Sequence, residues 1–139
     1  MSTRSRIAFQ VSKNEFVSIY CHFDGYPAGV GKTLLEHWNT PERVNALMAL
    51  GDLSALGSEL GDKHDFDKHD HSSTSCLAYG RDRGEKDVDA VHSVNHAALM
   101  DLVKNSWEEY VYLFDGEWSY LRVRDDGKFQ PLTQEVCED

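Results

Sequence analysis

Basic residues are scarce in this sequence. It contains 14 lysines and arginines against 24 aspartates and glutamates, which gives a formal net charge of −10 over 139 residues. A general nucleic-acid binder needs a basic surface to displace counterions, so this composition argues against direct nucleic-acid binding. Two interpretations of the acidic surplus stay open. The negative charge keeps a small protein soluble, or it allows the protein to dock on a basic, nucleic-acid-binding partner.

Cysteine and long apolar runs are also scarce. The three cysteines, Cys21, Cys76 and Cys137, are far apart and form no Cys-x-x-Cys pair, which predicts free thiols in a reducing compartment. The basic start is not followed by the apolar core of a signal peptide, and no apolar run approaches the length of a membrane span. With 40% hydrophobic and 27% charged residues, we expect a folded, intracellular protein that makes no membrane contact.

Hydrophobic periodicity predicts an α+β fold. Alternating apolar residues predict strands at 6–11, 15–23, 75–79, 109–114 and 118–123, with a short strand within 127–132. Helical spacing predicts helices at 29–38, 41–50 and 96–104. We expect a mainly antiparallel sheet of five or six strands with three helices packed on one face. Residues 1–133 would form this single domain, followed by an acidic, frayed tail at 134–139.

The segment 29–33 has the Gly-Lys-Thr ending of a phosphate loop and follows a strand. That loop needs a further glycine five positions before Gly31, where this chain has Tyr26, and Gly25 is one position too early. Loops of this kind also belong to parallel sheets with alternating strands and helices, which the predicted pattern lacks. We therefore interpret the segment as a glycine-rich helix start.

Residues 57–74 predict a long polar surface loop, and 63–71 within it is rich in histidine and aspartate. Imidazole and carboxylate groups are ligands for zinc and other divalent metals, so His64, His69 and His71 are weak metal-ligand candidates. A loop without rigid support binds metals weakly, and we favour no metal site. The acidic residues of this region are instead candidates for contact with a basic partner. They are Asp62, Asp65, Asp67 and Asp70.

Aromatic residues alternate along the predicted strands. Tyr110, Tyr112 and Phe114 share one face of a strand, and Trp118, Tyr120, Arg122 and Arg124 alternate along the next. Aromatic rings interleaved with arginines are typical of sheets that stack nucleic-acid bases. The acidic composition favours the alternative that these rings form the core.

Several charged and polar residues are predicted to meet near one end of the sheet, where a small anion or nucleotide would bind. Arginine side chains there would clamp the anion, and the neighbouring acids would orient them. His22 and Asp24 would be placed to transfer protons. The candidate ligand-binding residues are His22, Asp24, Tyr26, Arg81, Asp82, Arg83 and Glu85.

Five segments together resemble a group of small bacteriophage proteins that has no assigned chemistry. They are Thr-Arg-Ser-Arg-Ile at 3–7, the ten residues at 18–27, Gly-Val-Gly at 29–31, Leu-Gly-Asp-Leu-Ser at 50–54, and Tyr-Gly-Arg-Asp-Arg-Gly-Glu at 79–85. The likeness spans most of the chain, although the group often has tryptophan at the position of Phe23. The resemblance implies a viral origin and expression in the cytoplasm of a bacterial host. Small acidic phage proteins often act by binding and inhibiting host proteins.

These observations give three hypotheses about function. The first is a small acidic accessory protein, without enzymatic activity, that binds and modulates a host protein or complex such as a defence system. The alternative is a protein that sequesters a nucleotide or another anionic small molecule. A small metal- or phosphate-dependent enzyme is the third and weakest hypothesis. The sequence predicts no catalytic residue and no cofactor.

Overall fold

The computed structural model describes residues 3–68, 74–125 and 128–138, and the described part forms an α+β fold. Eight strands are present in these ranges: β1 (Ser5–Ser12), β2 (Glu15–Cys21), β3 (Leu53–Ala55), β4 (Leu77–Ala78), β5 (Val91–Ser93), β6 (Tyr110–Phe114), β7 (Trp118–Arg122) and β8 (Gln130–Pro131). The α-helices of the same ranges are α1 (Lys32–His37), α2 (Pro41–Leu50), α3 (Tyr79–Arg83), α4 (His96–Asn105) and α5 (Gln134–Cys137).

The described strands form one open, mixed sheet. Its order is β4-β3-β2-β1-β6-β7-β8, and β5 pairs with β2 beside this path. The hairpins β1–β2 and β6–β7 are antiparallel, but β1 lies parallel to β6 and β2 lies parallel to β3. The expected count of five or six strands was therefore too low. The short strands β3 and β5 have only three residues each, too few to show a period of two.

Helices cover both faces of the sheet, so the expectation of three helices on one face was wrong. One face packs Ile7, Ile19 and Phe114 against Leu34 of α1 and Leu47 of α2. The opposite face forms a second core in which α4 covers the sheet. Its buried residues are Ala8, Phe16, Leu99, Val103, Val111, Leu113 and Leu121. Successive residues of β1 and β6 point to opposite faces of the sheet, and most of them are buried. This is the pattern of a central strand that is covered by a layer on each face.

Side-chain caps define the two longest helices. The Thr40 Oγ1 atom accepts a hydrogen bond of 3.3 Å from the Arg43 backbone N–H at the start of α2, and Gly51 follows its end with φ +84°. Asn95 caps α4 in the same way, through a 2.8 Å bond from the Ala98 N–H. The predicted bounds of α2 are confirmed, and α4 begins as predicted but ends one residue later, at Asn105. No helix in the described ranges combines the length and apolar character needed to cross a membrane.

Two segments that were expected to be irregular are helical. The charged segment 80–85 lies outside the helices predicted from the sequence, but α3 occupies most of it. The described part of the tail, 134–138, contains α5, which Thr133 caps by accepting a 3.2 Å hydrogen bond from the Val136 N–H. Cys137 packs into the core at 1% exposure. The described part of the segment that was predicted to fray therefore has a capped helix and a buried side chain.

A buried ion pair ties β1 to the segment after α4. The Arg6 guanidinium donates two hydrogen bonds of 2.8 Å to the Glu108 carboxylate and one of 3.1 Å to the Ser18 hydroxyl. The side chains of Arg6 and Glu108 are 5% and 0% exposed. Burial raises the pKa of Glu108, against the opposing influence of Arg6.

Candidate ligand-binding groove

The turn after β2 is fixed by its backbone. Asp24 has φ +59°, and its carbonyl accepts a 2.7 Å hydrogen bond from the Val30 N–H. Gly25 is pressed against the start of β1, where a Cβ atom would lie 2.6 Å from the Thr3 carbonyl oxygen. A side chain larger than hydrogen would therefore push this turn away from the sheet. The backbone of this turn therefore sets the direction in which the exposed Tyr26 side chain points.

A π-helical turn, Pro27–Gly31, continues from Tyr26 into α1. The hydroxyl of Tyr112 in β6 donates a 2.6 Å hydrogen bond to the Gly25 carbonyl, which fastens this region to the sheet. Single π-turns occur often at functional sites because they displace side chains from regular helical positions.

The same residues show why no phosphate loop forms here. Residues 27–31 are helical, and the Thr33 hydroxyl donates a 3.2 Å bond to the Gly29 carbonyl. The preceding strand, β2, is antiparallel to β1 along its length. The segment is a glycine-rich helix start, which confirms the interpretation made from the sequence.

A groove lies between this turn and the sheet. Its main cavity has a volume of about 470 Å³, within the range of roughly 300–1,000 Å³ that small-molecule sites occupy. The residues that line it come from the π-turn and the residue before it, from β6, β7, β8 and α5, and from positions 125 and 128. They are Tyr26, Pro27, Ala28, Tyr110, Tyr120, Leu121, Arg122, Asp125, Lys128, Gln130 and Val136.

A smaller cavity of about 240 Å³ adjoins the first. Tyr26, Tyr110 and Arg122 line both cavities, so these residues form the boundary between two lobes of one groove. The smaller lobe adds Thr3, Glu109 and Arg124.

Three cations line this groove without an ion-pair partner among the described residues. Within the described ranges, none of Arg122, Arg124 and Lys128 forms an ion pair. Two acids, Asp125 and Glu109, share the lining. In a protein with 24 acidic and 14 basic residues, this is a local excess of positive charge. Such an excess attracts anions.

Three tyrosines also line the groove: Tyr26, Tyr110 and Tyr120. Tyr110 lies directly opposite Arg122 in the β6–β7 register, and its ring stacks on that of Tyr112 at 6.4 Å. Tyr112 is completely buried, whereas Tyr26 is 42% exposed and Tyr110 and Tyr120 are half-buried. The interpretation of the aromatic residues as core is thus correct for Tyr112 and Phe114. Three other tyrosines line the groove.

The predicted ligand-binding residues are distributed over different parts of the fold. Tyr26 lines the groove, and Asp24 positions it by accepting a 3.0 Å hydrogen bond from the Tyr26 hydroxyl. This bond raises the pKa of Tyr26. His22 directly follows β2, and its Nδ1 atom is 2.7 Å from the hydroxyl oxygen of Tyr20. Burial, with the nearby Arg4 charge, lowers the pKa of His22.

Arg81 and Asp82 form a clamp that holds the long loop. Arg81 donates hydrogen bonds of 2.7, 2.9 and 2.7 Å to the carbonyls of Leu60, Gly61 and Cys76. Asp82 accepts bonds from Arg81 and from the backbone N–H groups of His64 and Ala78. The donors of this arginine and the oxygens of this carboxylate are therefore occupied within the protein.

Arg83 and Glu85 pair with each other at the surface. The Arg83 guanidinium also lies 4.7 Å from the ring centre of Phe66 and 4.9 Å from that of Tyr79, as in a cation–π contact. None of the four charged residues of 81–85 lines the groove.

The acidic candidates are exposed where the structure describes them. Asp62, Asp65 and Asp67 are exposed, and an oxygen of the Asp65 carboxylate accepts a 3.0 Å hydrogen bond from the Asp67 N–H. Asp70 lies outside the described residues, as do the metal-ligand candidates His69 and His71. His64 is half-buried, with Nδ1 2.9 Å from the Asp62 carbonyl oxygen. The described ranges contain no group of three or more His, Cys, Asp or Glu residues that could hold a metal ion.

Sequence reasoning missed part of the groove. The alternation of Tyr120, Arg122 and Arg124 was visible, but nothing in it showed that α5 and the π-turn leave those side chains uncovered. Lys128, Gln130 and Val136 come from segments predicted as a short strand and a frayed tail. No local signal connects them with Tyr26.

Comparisons of this chain with protein-family models, curated proteins and solved structures give no significant match. The groove must therefore be interpreted from its own chemistry.

Proposed function

We propose that this chain is a binding protein for a small anionic molecule, which it holds in the groove between the π-turn and the β6–β7 hairpin. The observation that carries the proposal is the set of cations without ion-pair partners, Arg122, Arg124 and Lys128, around a tyrosine-lined cavity of about 470 Å³. Arginine presents a planar fork of donors that matches carboxylate and phosphate oxygens. The tyrosine rings offer flat contact surfaces with hydroxyl groups at their ends.

This proposal keeps the ligand class predicted from the sequence but moves the site. The predicted arginines were Arg81 and Arg83, and the groove offers Arg122 and Arg124 instead. Tyr26 belongs to both descriptions.

Isothermal titration calorimetry with a panel of anions tests the proposal: inorganic phosphate, aromatic carboxylates and nucleoside phosphates. We expect at least one anion to bind. Arg122→Gln should then weaken binding about tenfold or more, because a charge-assisted hydrogen bond is lost. Arg83→Gln is the matched control, since it removes the same charge outside the groove. Equal loss in both variants, or no binding across the panel, contradicts the proposal.

A second function, docking on a basic host protein, is favoured by one observation. The segment that carries Asp62 and Asp65 is exposed, and the Arg81–Asp82 clamp holds it in place. Together with the resemblance to bacteriophage proteins, this supports a proposal that the chain acts in a host cytoplasm on a host protein or complex, such as a defence system.

Affinity capture from host lysate at two salt concentrations tests this second proposal. A specific partner should be lost at high salt, and charge reversal at Asp65, Asp67 and Asp70 should weaken its capture. The matched control reverses three exposed acids elsewhere, Glu42, Asp101 and Glu117. If every partner stays bound after the triple change, the acidic segment is not the contact.

A further inference from the structure

The two lobes of the groove differ in chemistry. The larger lobe has apolar surface from Pro27, Leu121 and Val136, along with the ring of Tyr120. The smaller lobe is lined by Thr3, Tyr26, Glu109, Tyr110, Arg122 and Arg124, and so has little apolar surface other than its tyrosine rings. Each lobe is lined by two cations and one acid, so the lobes differ in apolar surface and not in charge. A ligand that fills both lobes therefore has its more apolar end in the larger lobe and an anionic, polar end in the smaller one.

We infer that the groove takes a nucleoside monophosphate, with the base in the larger lobe against the tyrosines and the phosphate in the smaller lobe between Arg122 and Arg124. This inference rests on the proposed binding of a small anion and specifies its class and orientation.

The larger lobe suits a nucleobase more closely than a simple aromatic acid. Base–aromatic stacking uses a π-face that every base has, and Tyr120 and Tyr26 supply rings at the lobe. Asp125, Lys128 and Gln130 add hydrogen-bond acceptors and donors to its lining. Ring nitrogens and exocyclic groups of a base can pair with such side chains, whereas a plain hydrocarbon ring would leave them without partners.

The orientation of Tyr26 is set before any ligand binds. Its hydroxyl is held by Asp24, and the turn below it is fixed by the Val30-to-Asp24 and Tyr112-to-Gly25 hydrogen bonds. A ring that is already ordered loses less conformational entropy on stacking.

The charges of the smaller lobe favour one phosphate. Arg122 and Arg124 supply two guanidinium groups there, and the Glu109 carboxylate lies in the same lining. A di- or triphosphate would bring more negative charge close to this carboxylate. The net charge of −10 also disfavours a longer nucleic-acid strand as the ligand, because the protein would repel its many phosphates.

Calorimetry with matched probes tests the inference on the intact chain. The probes are each of the four common nucleoside 5′-monophosphates, the corresponding nucleosides, inorganic phosphate and a short single-stranded oligonucleotide. We expect at least one monophosphate to bind about tenfold or more tightly than both its nucleoside and inorganic phosphate, because only it occupies both lobes.

Two variants separate the lobes. Arg124→Gln should weaken the monophosphate about tenfold and leave the affinity for the nucleoside unchanged within twofold. Tyr120→Leu should weaken the monophosphate and the nucleoside by the same factor, about tenfold, because stacking is lost from both. Arg83→Gln should change neither affinity. Circular dichroism and a melting curve of each variant confirm that it is folded.

The possible failures are distinguishable. If inorganic phosphate or an aromatic carboxylate binds as tightly as every monophosphate, the inferred ligand class is wrong and the proposed anion site stands. If Arg124→Gln weakens the nucleoside as much as the monophosphate, the orientation is wrong. Tighter, steeply salt-dependent binding of the oligonucleotide would overturn the choice of a mononucleotide. If no anion of either panel binds, the inference and the proposed function both fall.

Discussion

Replacement of Asp82 by asparagine should destabilise the fold far more than it affects the groove. The Asp82 side chain is 0% exposed, and its two oxygens accept hydrogen bonds from Arg81, Ala78 N–H at 2.8 Å and His64 N–H at 3.1 Å. An asparagine has a single acceptor oxygen, and its NH₂ group would face a donor. The Arg81 charge would also lose its partner.

The expected loss follows from these contacts. Breaking a buried ion pair by removing one partner costs about 3–5 kcal/mol. Arg81 keeps its three carbonyl acceptors and is 17% exposed, so the lower end of the range applies. We expect Asp82→Asn to lower the free energy of unfolding by about 3 kcal/mol at pH 7. For a domain of this size the melting temperature should fall by about 10 °C.

The pH dependence gives an independent check. Burial alone would raise the pKa of Asp82, but the bonds from Arg81, Ala78 and His64 outweigh it and hold this pKa below its ordinary value. Because the pKa of Asp82 is lower in the folded protein than its ordinary value of 3.8, its carboxylate stabilises the fold at any pH above that ordinary value. This stabilisation is lost as the pH falls through the pKa of the folded protein. The wild type and Asp82→Asn should therefore approach each other in stability on acidification.

Urea unfolding followed by tryptophan fluorescence, at several pH values, measures this difference. Asp62→Asn is the matched control, because it makes the same chemical change at an exposed position nearby, and it should stay within about 0.5 kcal/mol of the wild type. A loss below 1 kcal/mol for Asp82→Asn at pH 7, or a difference that persists undiminished in acid, would refute the clamp.

Three further predictions concern the rest of the fold. Glu108→Gln should lower the unfolding free energy by about 3–5 kcal/mol because it leaves the Arg6 charge buried, whereas the double change Arg6→Met with Glu108→Leu should recover most of that loss in the same urea assay. If the double variant is less stable than the single one, the ion pair is a net stabilising interaction. Thr40→Ala should cost about 1 kcal/mol by removing the cap of α2, while Thr40→Ser should cost little; equal losses would mean that the cap hydrogen bond does not matter. The three cysteines are buried, and burial raises the pKa of Cys21 to about 12 and that of Cys76 to about 11, so iodoacetamide at pH 7 should label none of them until the protein is denatured, as mass spectrometry would show. Rapid labelling of the native protein would contradict this packing.

The parts of the fold that could be predicted are those with a local cause. The alternation in 6–11 and 15–23 locates the first hairpin, and the Thr40 cap and Gly51 stop locate α2 within one residue. The second hairpin follows from the Asp115-Gly116 turn between two aromatic strands. These signals act between neighbouring residues, so a single sequence contains them.

The groove could be predicted only in part. The sequence singled out Tyr26 as a polar turn residue at a strand end, and it showed Tyr120, Arg122 and Arg124 as an alternating set. It could not distinguish a ring that packs in the core, such as Tyr112, from one that lines a cavity, such as Tyr120. The two lie directly opposite each other in the β6–β7 pair and differ only in what covers them.

The sequence by itself determined the α+β class, the two hairpins, the two longest helices and the failure of the phosphate-loop pattern, because each depends on spacing along the chain. The tertiary structure alone decided that β1 pairs parallel with β6, that helices cover both faces, and that Arg81 and Asp82 hold a loop. It also brought Tyr26 and Arg122, nearly a hundred residues apart in sequence, to one groove. Such contacts depend on how the elements pack, and packing between distant segments leaves no periodic trace in the chain.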